Sequence, residues 1–381
     1  MKSARKRNIW EPLIFLVVFC AIFVGLGSVM GGQNLLNTIM KTAHDLILNT
    51  IFYLMGIIVI TGAIGKLMAE YGVVSVLEKL LRPLMKPLYN LPGAAAIGAV
   101  MTFLSDNPAI MTMTKNKAFT SYFKKYQLVS LTNFGTAFGM GFVVIMTMFG
   151  YGYGSAALVG LFGAFCGSII STRLMQYFVL KSYPELDAPV IPVEEQVTES
   201  EESMDNESKD SGFARFLNAL LDGGKDGVEL AMQLIPGVVI ISTFVLMVTF
   251  GPNADGSYDG GAYQGVPIIP WLAEKIDWLF RWCFGFTDMR LLAFPMTALG
   301  AVGAALGVLP TFAAQGILTG SAVAVFTSIG MVWSGFLSTH TALLDFLGYR
   351  KLISKAILSH TIAGFCAGVI AHLLCLLLGI A

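Results

Sequence analysis

Apolar residues run almost unbroken through stretches at residues 10–30, 46–68, 128–149, 156–180, 228–250, 317–337 and 356–380. About 20 such residues cross a bilayer, so each stretch predicts a membrane-spanning helix. The basic start Met1-Lys-Ser-Ala-Arg-Lys-Arg7 precedes the first of them without a convincing cleavage site, and we expect an uncleaved span. Two further apolar stretches, 91–113 and 291–312, follow a different pattern. Lys79, Arg82 and Lys86 precede the first, and Lys115, Lys117, Lys124 and Lys125 follow it. Cytoplasmic loops collect Lys and Arg, so clusters on both sides predict a hairpin that re-enters from the cytoplasm, turning at Asp106-Asn107-Pro108, with a short ordinary span kinked at Pro108 as the alternative. Non-helical backbone is tolerated at that depth where protein or a cavity surrounds it. Residues 251–273 and 291–349 lack Lys and Arg altogether, which places the first loop outside and predicts a second hairpin entered from the outer side.

The expected architecture is an all-α polytopic membrane protein with about seven spans, two opposed re-entrant hairpins, interfacial helices and an inner-membrane location with the N-terminus cytoplasmic. Residues 182–210 interrupt it with ten acidic residues, one lysine and three prolines. We read residues 182–226 as an acidic, disordered cytoplasmic linker between two repeats, 46–181 and 227–381, with residues 1–45 forming the N-terminal tail, first span and outer loop. The repeats align at an offset of 195: Leu77 meets Leu272, Leu84 meets Leu279, and Met101-Thr102-Phe103-Leu104 meets Met296-Thr297-Ala298-Leu299. Opposite orientation of related halves predicts an inverted repeat, the plan of many secondary transporters.

Composition sharpens the class. Charged residues make up 13% of the 381 and apolar ones 55%, too little charge to cover a soluble globule or to bind nucleic acid. Five scattered cysteines show no pairing or zinc spacing. Asp106 is the sharpest candidate for chemistry, because a carboxylate at mid-membrane is costly unless it is used. It could equally cap the half-helix that begins near Pro108. Ser105, Asn107, Thr132, Asn133, Thr136, Thr319, Ser321, Thr327 and Ser328 are the neutral candidates for a polar ligand, with helix packing as their alternative role. Ser334 carries the same ambiguity. Arg173 could pair with Asp106 or reach for the cytoplasm, and His340, near Asp345 in the sequence, could respond to pH or be a satisfied interfacial histidine. His360 and His372, twelve residues apart, do not form a metal site. No nucleophile with a base beside it is visible, and we expect no enzyme and no cofactor beyond a coupling sodium ion or proton.

Several segments resemble the concentrative nucleoside transporters and the related nucleoside-recognition, or gate, domains. Leu128-Val-Ser-Leu-Thr-Asn-Phe-Gly-Thr-Ala-Phe-Gly-Met-Gly141 resembles their unwound span after the first hairpin. Ile169-Ile-Ser-Thr172 before Tyr183-Pro184-Glu185 is similar to the close of the next span, and Leu220-Leu-Asp-Gly-Gly-Lys-Asp-Gly-Val-Glu-Leu-Ala231 to the start of the second half. Phe326-Thr-Ser-Ile-Gly330 resembles the segment whose hydroxyls contact ligand. The resemblance covers roughly residues 40–380 and implies a gradient-driven transporter of a small polar solute, assembled as a homo-oligomer, a trimer, in the lipid bilayer. Nucleoside carriers of the family have Gln-Thr-Glu-Ala-Pro at the first hairpin tip, where Ser105-Asp106-Asn107-Pro108-Ala109 stands here. Their Asn-Glu-Phe run after the second hairpin is replaced by Gly320-Ser321-Ala322. A non-transporting gate or interaction module of a larger membrane assembly is the competing reading.

Overall fold

The computed structural model describes residues 10–190 and 212–380. Among them seven helices are long and apolar enough to span a membrane. They are α1 (Trp10–Met30), α2 (Gly32–Glu70), the interrupted pair α6 (Lys125–Thr136) and α7 (Gly141–Gly150), α8 (Gly154–Ser182), α9 (Gly212–Met247), the interrupted pair α15 (Gly320–Val332) and α16 (Phe336–Phe346), and α17 (Ile353–Leu378). Between them lie α3 (Val73–Leu84), α4 (Ala95–Leu104), α5 (Pro108–Thr114), α10 (Ile268–Ala273), α11 (Asp277–Phe284), α12 (Ala293–Ala298), α13 (Val302–Leu306) and α14 (Leu309–Ala314). No strand forms among the described residues, which leaves an all-helical membrane fold.

Exposure orders these helices from rim to centre. α1 buries only 11% of its apolar window, as expected for a helix facing lipid. The two interrupted spans bury 94% and 83% of theirs, so they form the centre. A helix that is apolar all round belongs either in a core or against lipid, and here burial separates the two cases. α3 buries none of its residues, and Trp271, Trp278 and Trp282 of the α10–α11 segment are likewise exposed. Such aromatic side chains suit the headgroup level of a bilayer.

Small residues set how closely the spans approach. α2 and α9 cross where Gly62 meets Gly223 and Gly227. A Cβ on Gly62 would sit 2.5 Å from the Gly223 carbonyl oxygen, and one on Gly227 2.7 Å from that of Ile58. Behind the centre, α8 presents Gly160, Gly163 and Gly167 to α15 and α17, again within contact of backbone oxygens. Apolar lipid gives no hydrophobic push between helices, so close van der Waals packing carries the association.

The expected linker is shorter at both ends. Residues 182–190 are docked: Lys124 pairs with Asp187 at 2.8 Å, the Lys125 amide donates to Ala188, and the Val190 amide donates to Phe123. Residues 212–226 belong to α9, an amphipathic helix whose small residues Ala219, Gly223 and Gly227 are buried. Charge along its outer face hid that buried stripe from a reading based on polarity. Residues 191–211, the most acidic part of the expected linker, and the basic residues 2–7 lie outside the described residues.

Backbone geometry repeats at the spacing seen in the sequence. Lys125 and Gly320 begin corresponding helices 195 positions apart, as do Gly141 and Phe336. Asn90 and Gly285, also 195 apart, both turn with positive φ (53° and 67°), and so do Met140 and Gly335 (53° and 60°). Each of the first two turns is held by the long helix that closes its own half. Gln176 of α8 donates to the Tyr89 carbonyl, and Arg173 donates to those of Pro87 and Leu88. His372 of α17 abuts Gly285 so closely that a Cβ there would lie 2.4 Å from the ring. Arg173 therefore anchors the backbone just before Asn90, and of its two sequence alternatives the pairing with Asp106 does not occur.

The glycine crossing gives a direct test. Gly62→Ala forces backbone against backbone and should destabilise the protein by about 1–3 kcal/mol. Gly25→Ala, where an added Cβ meets nothing within 4 Å, should leave thermal unfolding in detergent unchanged.

Candidate functional site

The site is built where helices stop. α6 ends at Thr136 and α7 restarts at Gly141, with residues 137–140 non-helical and Met140 left-handed. α15 ends at Val332 and α16 restarts at Phe336, with Gly335 left-handed. Interrupting a helix frees carbonyl and amide groups that lipid cannot satisfy, so such breaks persist only inside protein.

The turn between α4 and α5 reaches the first break along a row of glycines. Ile110 packs on Gly135, Asn107 on Gly139 and Phe103 on Gly141. At Gly139 the approach is closest, since a Cβ would fall 2.1 Å from Asn107 Oδ1 and 2.9 Å from Ser334 Oγ. Asn107 then bridges to the second break: its Nδ2 donates to the Ser334 carbonyl in a very short bond and to Thr339 Oγ1 at 3.3 Å. The turn at 299–301 comes to the same place, with Gly300 O 3.6 Å from a Cβ built on Gly335. Two turns and two breaks thus converge.

The ten sequence candidates divide around this point. Asn107 is buried at its centre. Asp106 is half-buried beside it and accepts the Asn107 amide at 2.7 Å. It does not cap α5 in the expected manner: Asn107 occupies the capping position and makes no side-chain cap bond. Ser105 is exposed and bonds back to Met101 O, so it points away from the convergence. On α6, Thr132, Asn133 and Thr136 are wholly buried. Thr136 donates to Thr132 O at 2.7 Å, and Asn133 Nδ2 reaches Ser171 Oγ, Ser359 Oγ and Ala356 O. The oxygens Asn107 Oδ1, Thr132 Oγ1 and Asn133 Oδ1 are buried acceptors with no hydrogen bond inside the protein.

The α15 candidates sit elsewhere. Thr319 caps that helix by accepting the Ala322 amide, and Ser321 bonds His372 Nδ1 at 2.9 Å. These residues begin the helix, whereas Ser334 lies just beyond its end, about 20 Å away at 1.5 Å per residue. Thr327 and Ser328 return their hydroxyls to Val323 O and Val325 O and serve as surfaces for Gly160 and Gly163. Ser334, ambiguous in the sequence, stands at the convergence instead, joined by Thr339 and Gly139, which the sequence does not single out. Their signal was in the sequence: Gly335 stands 195 positions after the Met140 break.

The histidines also differ from expectation. His340 is buried rather than interfacial, its ring centroid 4.6 Å from that of His360, while Asp345 pairs with Arg350. Across residues 126–172 and 291–349, which include both breaks, there is no Lys or Arg.

Residues 51–152, which contain the first turn and the first break, match the Gate family, described as nucleoside recognition. The fold resembles a double variant of CNTnw in an outward-facing state, with TM-score 0.50 and 13% identity over 96% of this chain and 86% of that one. A single variant of CNTnw in an intermediate state matches equally well, with TM-score 0.50 and 14% identity over 95% and 85%. No curated protein matches the chain. The protein is therefore an all-helical membrane protein. Residues 51–152 are similar to the Gate family, and the fold as a whole resembles that of the concentrative nucleoside transporter structures.

Asn107 and Gly139 act on one contact and should behave as one. Asn107→Ala removes the bridge and Gly139→Ala displaces it, each costing about 1–3 kcal/mol. The double variant should cost little more than the worse single one, a non-additivity that thermal or denaturant unfolding in detergent can measure.

Proposed function

We propose that the protein is a secondary active transporter of a small, polar, uncharged solute of nucleoside-like character, driven by a sodium or proton gradient. The observation that carries this reading is the meeting of two interrupted spans and two turns at one buried point, bridged by Asn107. Broken helices expose main-chain donors and acceptors to a ligand without lining the membrane with charge. The solute is uncharged on this reading because residues 126–172 and 291–349, which hold both breaks, contain no Lys or Arg to neutralise a phosphate. Open acceptors on Asn107, Thr132 and Asn133 suit a solute that brings N–H or O–H donors.

The halves are then an inverted repeat, the two turns are re-entrant hairpins from opposite sides, and the acidic segment joins the repeats in the cytoplasm. The N-terminus is cytoplasmic in the inner membrane, and the exposed α3 offers a contact surface for a homotrimer. No residue is given a catalytic role. Among the ten candidates this reading places Asn107, Asp106, Thr132, Asn133 and Thr136 around the solute. It gives Ser105, Thr319, Ser321, Thr327 and Ser328 supporting positions. The competing reading, a gate module without transport, draws on the Gate match, which covers only residues 51–152.

Asp106 is the group through which an ion couples, because it is the one carboxylate at the first turn. Asp106→Asn keeps the size and an accepting oxygen while removing the charge. In proteoliposomes, uridine or adenosine uptake driven by an imposed sodium or proton gradient should fall at least about tenfold, with thermal stability little changed. Uptake that keeps its full ion dependence in the variant would remove Asp106 from coupling. Absence of gradient-driven uptake in the wild type, across both nucleosides and both ions, would favour the gate module. Orientation has its own test: cysteines replacing Lys86 and Lys117, in a cysteine-free background, should both resist an impermeant thiol reagent in intact cells. Labelling of only one would show that residues 91–113 cross the membrane.

A further inference from the structure

A chain of buried hydrogen bonds joins the two interrupted spans behind the Asn107 bridge. Asn133 Nδ2, on α6 just before the first break, donates to Ser171 Oγ of α8 at 3.0 Å. Ser171 Oγ lies 2.7 Å from His360 Nδ1 of α17. On its other side His360 Nε2 meets the carbonyl of Val332, the last residue of α15 before the second break, in a very short bond. A carbonyl can only accept, so Nε2 carries the hydrogen and Nδ1 accepts from the serine hydroxyl. Every link then points one way, from Asn133 through Ser171 and His360 to Val332. Hydrogen bonds aligned in this manner in a low-dielectric interior strengthen one another. Trp333, in the break itself, adds its indole N–H to the His360 carbonyl at 3.3 Å. All the side chains involved are buried, with relative exposure of 4% or less.

We infer that His360 is a positioning residue for the second break. The Val332 carbonyl is one that the interruption of α15 leaves without its normal helical partner. By taking that carbonyl, the imidazole fixes the backbone two residues before Ser334, whose own carbonyl receives Asn107. His360 therefore acts on the first turn through the break and not by touching a solute. Ser171 and Asn133 pass the same constraint back to the first interrupted span, so the two breaks share one reference. His340 packs beside His360 but makes no hydrogen bond through either ring nitrogen, so its part is packing. The importance of this positioning rests on the proposal that the convergence is the solute site, whereas the linkage itself can be measured without any solute.

Hydrogen exchange read by mass spectrometry on the full-length protein in lipid nanodiscs tests it. His360→Phe keeps a ring of similar volume and loses both nitrogens. It should speed exchange about tenfold in residues 333–337 and, across the fold, in residues 104–107. His360→Gln retains a donor near the Nε2 position and should restore much of the protection. His340→Phe should leave both segments unchanged. Ser171→Ala, a smaller disturbance, should act in the same direction as His360→Phe and serves if the phenylalanine variant fails to fold. Unchanged exchange at 104–107 in His360→Phe, or in Ser171→Ala where that variant stands in, would overturn the inference. So would an equal effect from His340→Phe, because packing alone would then explain the result. Failure of the wild type to transport uridine or adenosine would count against the transporter reading while leaving the exchange result intact.

Discussion

A backbone interrupted inside a membrane protein must find partners within the protein, and this constraint organises the molecule. Lipid offers no hydrogen bonds, so each break has to be enclosed and its freed groups taken up. The two interrupted spans are the most buried of the seven, with long helices around them and apolar ones such as α1 at the rim. The freed groups are met from far along the chain: the Val332 carbonyl by His360, and the Ser334 carbonyl by Asn107. Glycine makes the second meeting possible, since at Gly139 any side chain would occupy the space that Asn107 fills.

The same constraint explains why the interior is polar without being charged. Hydroxyls and amides can satisfy a broken backbone and still leave acceptors open, whereas a buried Lys or Arg would need a counter-charge of its own. Asp106 is the exception in the first turn, and it spends one oxygen on the neighbouring amide. Around the two breaks the interior therefore holds neutral donors and acceptors, with the Asp106 carboxylate at its edge.

Much of the fold was legible in the sequence because membrane spans are written in local hydropathy. The 195-residue spacing was visible in Leu77, Leu272 and their neighbours, and it recurs in the backbone at Met140 and Gly335. The site was legible only in part. Asn107 and Asn133 stood out as amides in apolar runs. By contrast, nothing local separates a serine that bonds its own helix, such as Ser328, from one in a break, such as Ser334. Hydroxyls of Ser and Thr can be satisfied by carbonyls three or four residues back, so their presence in a span carries little information. Partners such as Asn107 with Ser334 lie 227 residues apart, a relation that only the folded chain supplies. Arg173 and α9 misled for a related reason: in each, the charge was visible while the contact it accompanies was not.

The central claim is that the first turn and the second break meet at one point. The most direct measurement is a cross-link between cysteines replacing Asn107 and Ser334, in a background lacking Cys20, Cys166, Cys283, Cys366 and Cys375. A short bifunctional thiol reagent in native membranes should join the pair efficiently, while a control pair at Asn107 and Ser321, at the far end of α15, should remain unlinked. Equal linking of both pairs, or none at Asn107 and Ser334 with each cysteine accessible alone, would contradict the account.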